Sequence, residues 1–323
     1  MKVAVVSAVY NEEKHIGRLI ESLLAQTRCP DEIIFVDDGS KDGTAKVIET
    51  YASRYTLIRL IRNVNQGPAA SRNIAWRHAS SEMILFTDGD CVPDLNWVET
   101  LLRSFTSEDI AAVAGTYRTL NTNNVLARFV GYEIAWRYRN VRGAIDTHGA
   151  YNLAVRRRVL EEMNGFDETY KKPSGEDFDL TYRITQKYKM LFAPDAIVAH
   201  SHPESFGWYM KNQVERGFDR IKLYNAHPEK RIGDVYTGKI VKYQVLAAGF
   251  LPFSIFFLPF PVLRWVPGLL CFFIFLSCLN SFAFIYKQDP PAAWRGVCVQ
   301  FFRSFAWALG AARGVLRFGV KFK

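Results

Sequence analysis

Cysteine is scarce in this sequence, which has only five in 323 residues. No two of them form a CxxC pair or another spacing typical of a zinc site, so we expect neither a structural metal site nor a disulfide framework. The folded part of the chain is therefore expected in a reducing compartment. The five are Cys29, Cys91, Cys271, Cys278 and Cys298.

Long hydrophobic runs are missing from the first 242 residues. The apolar stretch at residues 3–9 is short and an acidic segment follows it, so we expect a buried strand there and not a signal peptide. Internal repeats and low-complexity segments are also missing, and 49% apolar residues exclude a disordered or collagen-like chain. The length fits about two domains.

The positive charge is unevenly placed. The formal net charge is +9, but residues 243–323 hold eight basic residues and one acidic residue, whereas the first 242 residues are nearly balanced. A nucleic-acid-binding protein usually carries its basic stripe on a folded domain. Here the excess lies beside apolar runs, so we expect no nucleic acid and predict an anionic membrane surface as the partner.

The last quarter of the chain contains two runs without charge, residues 243–263 and 265–286. At about 1.5 Å per residue each reaches roughly 30 Å, the thickness of one bilayer core. We predict a membrane hairpin over residues 243–286; buried helices of a soluble protein are the alternative. Three prolines could make the first run kinked or re-entrant: Pro252, Pro259 and Pro261.

Basic residues flank the hairpin on both sides, which predicts that both of its ends face the cytoplasm. Residues 292–318 mix aromatic residues with arginines, a pattern more typical of a helix in the membrane interface than of a third span. We therefore predict a globular domain over residues 1–240 on the cytoplasmic side and a membrane region over residues 241–323.

Short apolar runs alternate with helical patterns through the first half of the chain. Strict alternation predicts βαβ units and an α/β fold with a mostly parallel sheet. Ligands of such sheets bind at the carboxyl ends of the strands. The predicted strands are residues 3–7, 32–36, 57–61, 83–87, 111–117, 150–155 and 197–200; the predicted helices are residues 13–26, 44–54, 69–79, 96–105 and 178–188.

Two carboxylates, Asp88 and Asp90, directly follow the predicted strand at residues 83–87. Carboxylates in this position suit Mg²⁺ or Mn²⁺, which proteins hold with one or two acids and substrate phosphates. A plain turn is the ordinary reading of such a sequence, but the place after a buried strand favours a metal. His200, at the end of a later strand, is a candidate third ligand or a structural histidine.

Two further polar groups follow strands in the same way. Asp37 and Asp38 can accept hydrogen bonds from a base or a ribose, or cap the next helix. Arg72 lies in the first turns of a helix that opens with Gly-Pro. A helix N-terminus with a guanidinium suits a diphosphate or a base carbonyl; an ordinary surface arginine is the alternative.

Adjacent acids, Glu176 and Asp177, open the predicted helix at residues 178–188. Acids at this position are usually caps, but a general base needs a carboxylate aimed into a pocket. Only one of two neighbours can point the same way, so we predict Asp177 as base and Glu176 as orienting residue. Further along, Arg216 is either part of a solvated helix face or a group that stabilises a leaving diphosphate.

Together these motifs resemble the inverting family 2 glycosyltransferases of GT-A fold. The resemblance covers about residues 1–220, and its six motifs follow the order and spacing of the family. The motifs are VYNE at 9–12, VDDGS at 36–40, NQGPAASRN at 65–73, TDGD at 87–90, GFDE at 165–168 and GED at 175–177.

The resemblance implies a nucleotide-diphosphate sugar as donor and residues 1–240 as the catalytic domain. It implies donor binding near the base by Asp37 or Asp38 and by Arg72, and a metal–diphosphate site with Mg²⁺ or Mn²⁺. The implied donor-site residues are Tyr10, Glu12, Asp37, Asp38, Arg72, Asp88 and Gln213, the metal ligands Asp88, Asp90 and His200, and the catalytic residues Asp177, Glu176 and Arg216.

Polymer-building members of the family carry a QxxRW motif, and this chain matches it at Gln213 and Arg216 but has Gly217 in place of the tryptophan. That departure argues against processive synthesis. The resemblance therefore favours the addition of one sugar to a hydroxyl of a lipid-linked polyprenyl acceptor. The alternatives are a polyprenyl-phosphate glycosyl synthase, a processive polysaccharide synthase and a non-catalytic membrane scaffold that binds nucleotide sugars.

Overall fold

The computed structural model describes residues 1–320 of the chain. The strands are β1 (Val3–Val9), β2 (Glu32–Asp37), β3 (Ile58–Arg62), β4 (Met83–Thr87), β5 (Cys91–Pro93), β6 (Ile110–Thr119), β7 (Gly143–Ile145), β8 (Asn152–Arg156) and β9 (Lys189–His200). The helices are α1 (Ile16–Leu24), α2 (Thr44–Ala52), α3 (Pro68–His78), α4 (Trp97–Arg103), α5 (Val125–Tyr138), α6 (Arg157–Glu162), α7 (Glu176–Thr185), α8 (Phe206–Ala226), α9 (Lys239–Ser254), α10 (Val266–Cys278), α11 (Phe282–Tyr286) and α12 (Pro290–Phe318).

The chain folds into two compact units. The first unit comprises residues 1–120 and 140–201, and the second comprises residues 121–139 and the described chain from residue 202 onward. Helices α5 and α8 group with the C-terminal helices because both pack on α12. The predicted boundary at residue 240 separates a catalytic domain from a membrane region. It concerns the roles of these two segments and stays a prediction.

The first unit is built on one mixed sheet with the order β3-β2-β1-β4-β8-β6-β9-β5, and β7 pairs with β9. The predicted parallel arrangement of the first four strands is confirmed. Beyond β4 the strand β8 runs antiparallel to both of its neighbours. Two reversals restore the original direction, so β6 and β9 end at the same edge as β1, β2 and β4.

The core of the first unit follows the predicted apolar pattern. Strands β1 and β4 are almost entirely buried, and α1 buries the side chains spaced three and four residues apart on one face: Ile16, Leu19, Ile20 and Leu23. The helix starts at Ile16 and not at residue 13, because residues 12–15 form a turn in which the carbonyl of Glu12 accepts from the amides of His15 and Ile16.

Three short elements were not predicted. Strands β5 and β7 have three residues each and α6 has six, too few for a hydrophobic period to show. The predicted strand at residues 197–200 is the end of the longer β9, and the loop-and-helix region at 118–148 contains α5 and β7.

Glycine residues determine how closely helices α8 and α12 cross in the second unit. A side chain at Gly217 would place its Cβ 2.5 Å from the carbonyl oxygen of Trp307, and one at Gly310 would overlap the carbonyl oxygen of Val214. A side chain at Gly314 would meet the Phe218 oxygen at 2.7 Å. The departure from QxxRW at residue 217 therefore has a packing reason, since no larger residue fits this crossing.

Two helical segments of the second unit are long and apolar enough to cross a membrane, Lys239–Phe257 and Val266–Tyr286. Only 22% of the residues in the most apolar part of each segment are buried. Most of the others have apolar side chains with no protein packed against them, which is compatible with a membrane region. Pro252 lies inside α9, whereas Pro259 and Pro261 follow the first segment, which ends at Phe257 and not at residue 263.

Helix α12 is continuous over Pro290–Phe318, as expected for residues 292–318, and its position in a membrane interface stays a prediction. Two of its residues, Arg303 and Trp307, were expected to lie in the membrane interface with the other arginines and aromatic residues. This expectation is wrong for them, because both face the protein. Arg303 is buried and forms a bidentate ion pair with Glu133, with hydrogen bonds of 2.7 and 2.8 Å. Trp307 is also buried. Trp294, Phe302 and Leu316 are exposed.

Candidate active site

The acidic turn between β4 and β5 lies at the edge of the sheet where the parallel strands end. Gly89 lets this turn approach β1 closely, because a Cβ at that position would lie 2.9 Å from Cγ of Glu12 and 3.0 Å from a methyl of Val9. The turn therefore needs glycine for space, and it gathers three carboxylates: Glu12, Asp88 and Asp90.

Burial and the charges of neighbouring acids raise the pKa values of Glu12 and Asp90. Burial raises the pKa of Asp90, the charge of Asp88 adds to the effect, and His200 opposes it. Burial also raises the pKa of Glu12; a hydrogen bond from His15 at 2.8 Å opposes this, and the charges of Asp90 and Asp88 add to it. Raised pKa values in an acidic cluster are what a bound cation would relieve.

The residues around Asp90 fit a hard divalent cation. Because β5 pairs with β9 and aligns Cys91 with His200, the His200 Nε2 atom lies 3.4 Å from Oδ2 of Asp90. Donor atoms of Asp90, Cys91 and His200 lie within 4.8 Å of one another. Burial raises the pKa of the Cys91 thiol well above its usual value, so it stays protonated and leaves oxygen and imidazole ligands.

Arg72 connects the acidic turn to helix α7. Its Nη2 atom donates to Oδ1 of Asp88 at 2.9 Å and its Nη1 atom to Oε1 of Glu176 at 2.7 Å. The guanidinium is buried. Arg72 therefore positions two carboxylates in this structure; its predicted contact with the donor stays a prediction.

Glu176 fixes the start of α7. Its second carboxylate oxygen accepts hydrogen bonds from the backbone amides of Ser174 and Gly175 at 3.0 and 3.1 Å. With Arg72 on the first oxygen, both oxygens of this buried side chain are occupied. Its role as orienting residue in the reaction stays a prediction.

Asp177 keeps one of its carboxylate oxygens available. Its Oδ1 atom accepts from the Phe178 amide at 2.8 Å, and within residues 1–320 no hydrogen bond reaches Oδ2. Burial first and the charge of Glu176 second raise the pKa of Asp177 to about 7, although Arg72 opposes them. A carboxylate with such a pKa is suited to accept a proton near neutral pH.

An aromatic wall, missed from the sequence, lies beside Asp177. A Cβ at Gly149 would lie 3.2 Å from the Asp177 Oδ2 atom and would overlap the ring of Tyr151. That ring stacks on Tyr117 at 3.7 Å, and Tyr117 lies 5.2 Å from the His200 ring. Tyr117 and Tyr151 lie at or beside the ends of strands β6 and β8, and this position was the only signal available in the sequence.

The structure distinguishes between Asp37 and Asp38. Both oxygens of Asp38 are used by the loop before α3, since they accept from the amides of Gln66 and Gly67 at 2.9 Å each. Asp37 accepts from the Ser40 amide with Oδ1, and within the described chain its Oδ2 has no hydrogen bond. Asp37 therefore has the free acceptor, whereas Asp38 holds the loop.

Tyr10 follows β1 on a loop that is tied to the loop after β2. The backbone amide of Asn11, at a φ of 57°, donates to Oγ of Ser40 at 2.9 Å, and the Asn11 side chain accepts from the amide of Lys41 at 2.8 Å. Tyr10 itself is 43% exposed. An exposed aromatic ring on a fixed loop is available to stack on a ligand.

Two predicted site residues, Gln213 and Arg216, lie in the second unit. Gln213 is buried in α8 and its side-chain oxygen accepts from Nε1 of Trp307 at 2.8 Å. Arg216 is exposed on the same helix. Their predicted roles at the donor stay predictions.

Comparison with known proteins agrees with this architecture. The model of Glycosyl transferase family 2 matches residues 4–163, the stretch that contains Tyr10, Asp37, Arg72, Asp88 and Asp90. This chain belongs to that family. The predicted fold class and family are thereby confirmed.

Named relatives are also glycosyltransferases. The glycosyltransferase AglE of Haloferax volcanii is 29% identical over 233 residues, which are 69% of this chain and 74% of the relative. The glucosyltransferase WfgD of Escherichia coli, named for a GlcNAc-diphosphoundecaprenol substrate, is 33% identical over 40% of this chain and 50% of its own length. The match to the probable glycosyltransferase YdaM of Bacillus subtilis spans 56% of that protein.

Solved structures share the fold. The mannosyltransferase PcManGT from Pyrobaculum calidifontis, solved with GDP-Man and Mn²⁺, superimposes with a TM-score of 0.63 at 18% identity and covers 98% of this chain and 88% of its own. TarS of Staphylococcus aureus, solved with UDP, gives a TM-score of 0.54 and covers all of this chain. These likenesses concern the fold alone.

Proposed function

We propose that this protein transfers one sugar from a nucleotide-diphosphate sugar to a hydroxyl of a lipid-linked polyprenyl acceptor, with inversion at the sugar carbon. One observation carries the proposal: Asp177, with a free oxygen and a raised pKa, is held beside the acidic turn by the chain of contacts from Glu176 through Arg72 to Asp88. A base and an acidic turn at one sheet edge are what a direct displacement needs.

Asp177 acts as general base in this reaction. Its Oδ2 atom takes the proton of the acceptor hydroxyl as that oxygen forms a bond to the sugar carbon, and the nucleoside diphosphate leaves with the electrons of the broken bond. Glu176 keeps α7 in place and, through its negative charge, keeps the proton affinity of Asp177 high.

Asp88, Asp90 and His200 would hold a divalent ion, Mg²⁺ or Mn²⁺, which supplies positive charge to the diphosphate. The oxygen and imidazole donors around Asp90 support this, as does the Mn²⁺ in two solved relatives of the same fold, PcManGT and GalNAc-T7. Loss of transfer in EDTA and recovery with Mn²⁺ or Mg²⁺ would test it.

Donor recognition is assigned to the loops after β1 and β2. Asp37 offers a free carboxylate oxygen to the base or ribose, Tyr10 offers an exposed ring, and Glu12 adjoins the diphosphate end of the site.

The acceptor is proposed to be bound to the membrane, and the protein is proposed to contact it on the cytoplasmic side. The two apolar helical segments and the basic excess of residues 243–323 support attachment to an anionic membrane lipid surface. The substrate in the name of WfgD, a diphosphoundecaprenol-linked sugar, supports a polyprenyl acceptor.

Processive synthesis is the second candidate, because a relative that aligns with 85% of this chain at 24% identity is named a poly-β-1,6-N-acetyl-D-glucosamine synthase of Staphylococcus epidermidis. Gly217 and the tight crossing of α8 and α12 favour single addition. Product length decides between them: one sugar per acceptor supports the proposal, and a ladder of products supports the polymer synthase.

The Asp177→Asn variant tests the base. We expect transfer to fall by roughly 100-fold or more, since general bases contribute about 10²–10⁴-fold, with donor affinity nearly unchanged. Asp195→Asn, which removes an exposed carboxylate on β9, is the matched control. The measurement is a donor screen with a lipid extract, read as glycolipid mass.

Two other results would change the conclusion. Transfer by Asp177→Asn at the normal rate would contradict the base assignment, and if the product were a glycosyl polyprenyl phosphate it would support the synthase alternative, whose ionised acceptor needs no base. Donor binding without transfer to any acceptor would favour the scaffold.

A further inference from the structure

The second unit contains a cluster of charged groups around Tyr236, formed by Arg137, Arg216, Arg303, Glu133 and Tyr236. Arg303 donates two hydrogen bonds to the carboxylate of Glu133, at 2.7 and 2.8 Å. Arg137 reaches the same carboxylate at 3.2 Å and places its guanidinium over the Tyr236 ring, 4.5 Å from its centre. We call this group the Tyr236 cluster.

Positive charge exceeds negative charge in the Tyr236 cluster. The cluster has three guanidinium groups and one carboxylate. Arg303 and Arg137 both pair with Glu133, and within the described residues no carboxylate pairs with Arg216. Beside the cluster, Arg220 lies 3.6 Å from Asp234, and the charges of both act on Lys242. These neighbours therefore do not offset the excess of about two positive charges within the cluster.

The lowered pKa of Tyr236 agrees with this excess of positive charge. Burial alone raises the pKa of a tyrosine, but the positive charges of Arg137 and Arg216 outweigh it and lower the pKa of Tyr236. A half-buried hydroxyl that ionises more easily than in water lies in a positive potential. Such a place suits an anion.

The cluster lies close to the start of the first candidate span. Tyr236 precedes the first residue of that span, Lys239, by three positions, which places it at headgroup level if the span crosses the membrane. Arg216 is exposed and Tyr236 only half-buried, so a ligand can reach the cluster from outside the unit.

We infer that the Tyr236 cluster binds the phosphate that links the acceptor saccharide to its lipid. The inference rests on the proposed function and adds the group by which the acceptor is held. Guanidinium groups match the oxygens of a phosphate in two-pronged contacts, and a phosphate ester offsets the excess charge. The phosphate of a bilayer phospholipid has the same chemistry, so the test must separate the two.

Arg137→Gln is the informative variant, because Arg303 still satisfies Glu133 after the change. Arg139→Gln is the matched control, since it removes an exposed charge just beyond the same helix, where Arg139 stacks on Trp136. Tyr236→Phe keeps the ring under Arg137 and removes the hydroxyl. Thermal unfolding identifies any variant that fails to fold.

The first measurement is equilibrium binding of a polyprenyl phosphate to the full-length protein in nanodiscs of neutral lipid, without donor. We expect the dissociation constant to rise roughly tenfold for Arg137→Gln, the loss of one charge-assisted contact, about threefold for Tyr236→Phe, and not for Arg139→Gln. Wild-type affinity in Arg137→Gln would overturn the inference. A loss of binding only to phosphatidylglycerol vesicles would overturn it in favour of bilayer phospholipid.

The second measurement is the KM for each substrate during sugar transfer. Arg137→Gln should raise the KM of a phosphate-linked acceptor and leave that of the donor and of an uncharged alkyl glycoside unchanged. A raised donor KM would instead assign the cluster to the leaving diphosphate and overturn the inference. Phosphate-dependent lipid binding without any transfer would contradict the proposed function alone.

Discussion

The reactivity proposed for Asp177 follows from its neighbours. Burial and the adjacent Glu176 raise the pKa of Asp177, while Arg72 occupies Glu176 and Asp88 and leaves the Asp177 Oδ2 atom free. The same residue type therefore has three environments at this site: Asp38 holds a loop, Asp88 pairs with arginine, and Asp177, the proposed base, keeps a free oxygen. Hydrogen-bond partners and not residue type separate these roles.

The pH dependence of transfer should follow Asp177. Its pKa of about 7 means that the active carboxylate is lost as pH falls, so we expect kcat/KM to drop roughly tenfold per pH unit below about 6 and to level off above about 8. The measurement is kcat/KM between pH 5 and 9 at saturating Mn²⁺. A flat profile over this range would contradict the assignment.

The same pKa predicts a stability effect. A carboxyl whose pKa is raised on folding destabilises the native state as pH rises from its unfolded pKa of 3.8 through about 7. Asp177→Asn should therefore be more stable than wild type at pH 8, on the order of 4 kcal/mol for a rise of about three pKa units, and about equally stable near pH 4. Thermal unfolding in EDTA measures this, and Asp195→Asn should show no such difference. A destabilised Asp177→Asn at pH 8 would contradict it.

At the scale of elements, glycine controls how α8 and α12 pack. Gly217, Gly310 and Gly314 let the two backbones touch, and the contact positions Trp307 to donate to Gln213. The QxxRW motif would place a tryptophan at residue 217, but this chain has glycine there. The tryptophan that donates to Gln213 is instead Trp307, on α12.

Gly310→Ala should destabilise the protein by about 1–3 kcal/mol, because the added methyl overlaps the Val214 carbonyl and overpacked contacts cost about this much. Gly207→Ala on α8 is the control: nothing lies within 4 Å of its Cβ position, and alanine favours a helix by roughly 0.5–1 kcal/mol. Thermal unfolding in one detergent compares them. Equal stability of the two variants would show that the crossing is looser than described.

At the scale of the whole molecule, acidic groups and exposed apolar faces lie in different segments of the chain. The sheet of the first unit gathers acids at one edge, whereas the C-terminal helices expose long apolar faces and basic flanks. A sugar donor soluble in water and a lipid acceptor would meet in such a protein only if it stays on the membrane.

We expect the protein to remain in the membrane fraction after a high-pH carbonate wash. Leu246→Arg with Leu269→Arg should weaken this retention, since both side chains are over 60% exposed on the candidate spans and a charge in the bilayer core is unfavourable by about 2.5–3.5 kcal/mol. Val64→Arg, at an exposed site of the first unit, is the control. Recovery of wild type in the wash supernatant would contradict membrane insertion.

The amino-acid sequence determined the strands β1 to β4, the helices between them and the two apolar segments, because hydrophobic period and run length are local properties. It also placed Asp88, Asp90 and Asp177 at strand or helix ends. Tertiary structure decided what local pattern cannot encode: that the short β5 brings His200 to Asp90, that both oxygens of Asp38 are occupied but only one of Asp37, and that Arg303 faces inward. Those outcomes depend on pairing between residues far apart in the chain, so they arise only when the sheet and the helix crossing form.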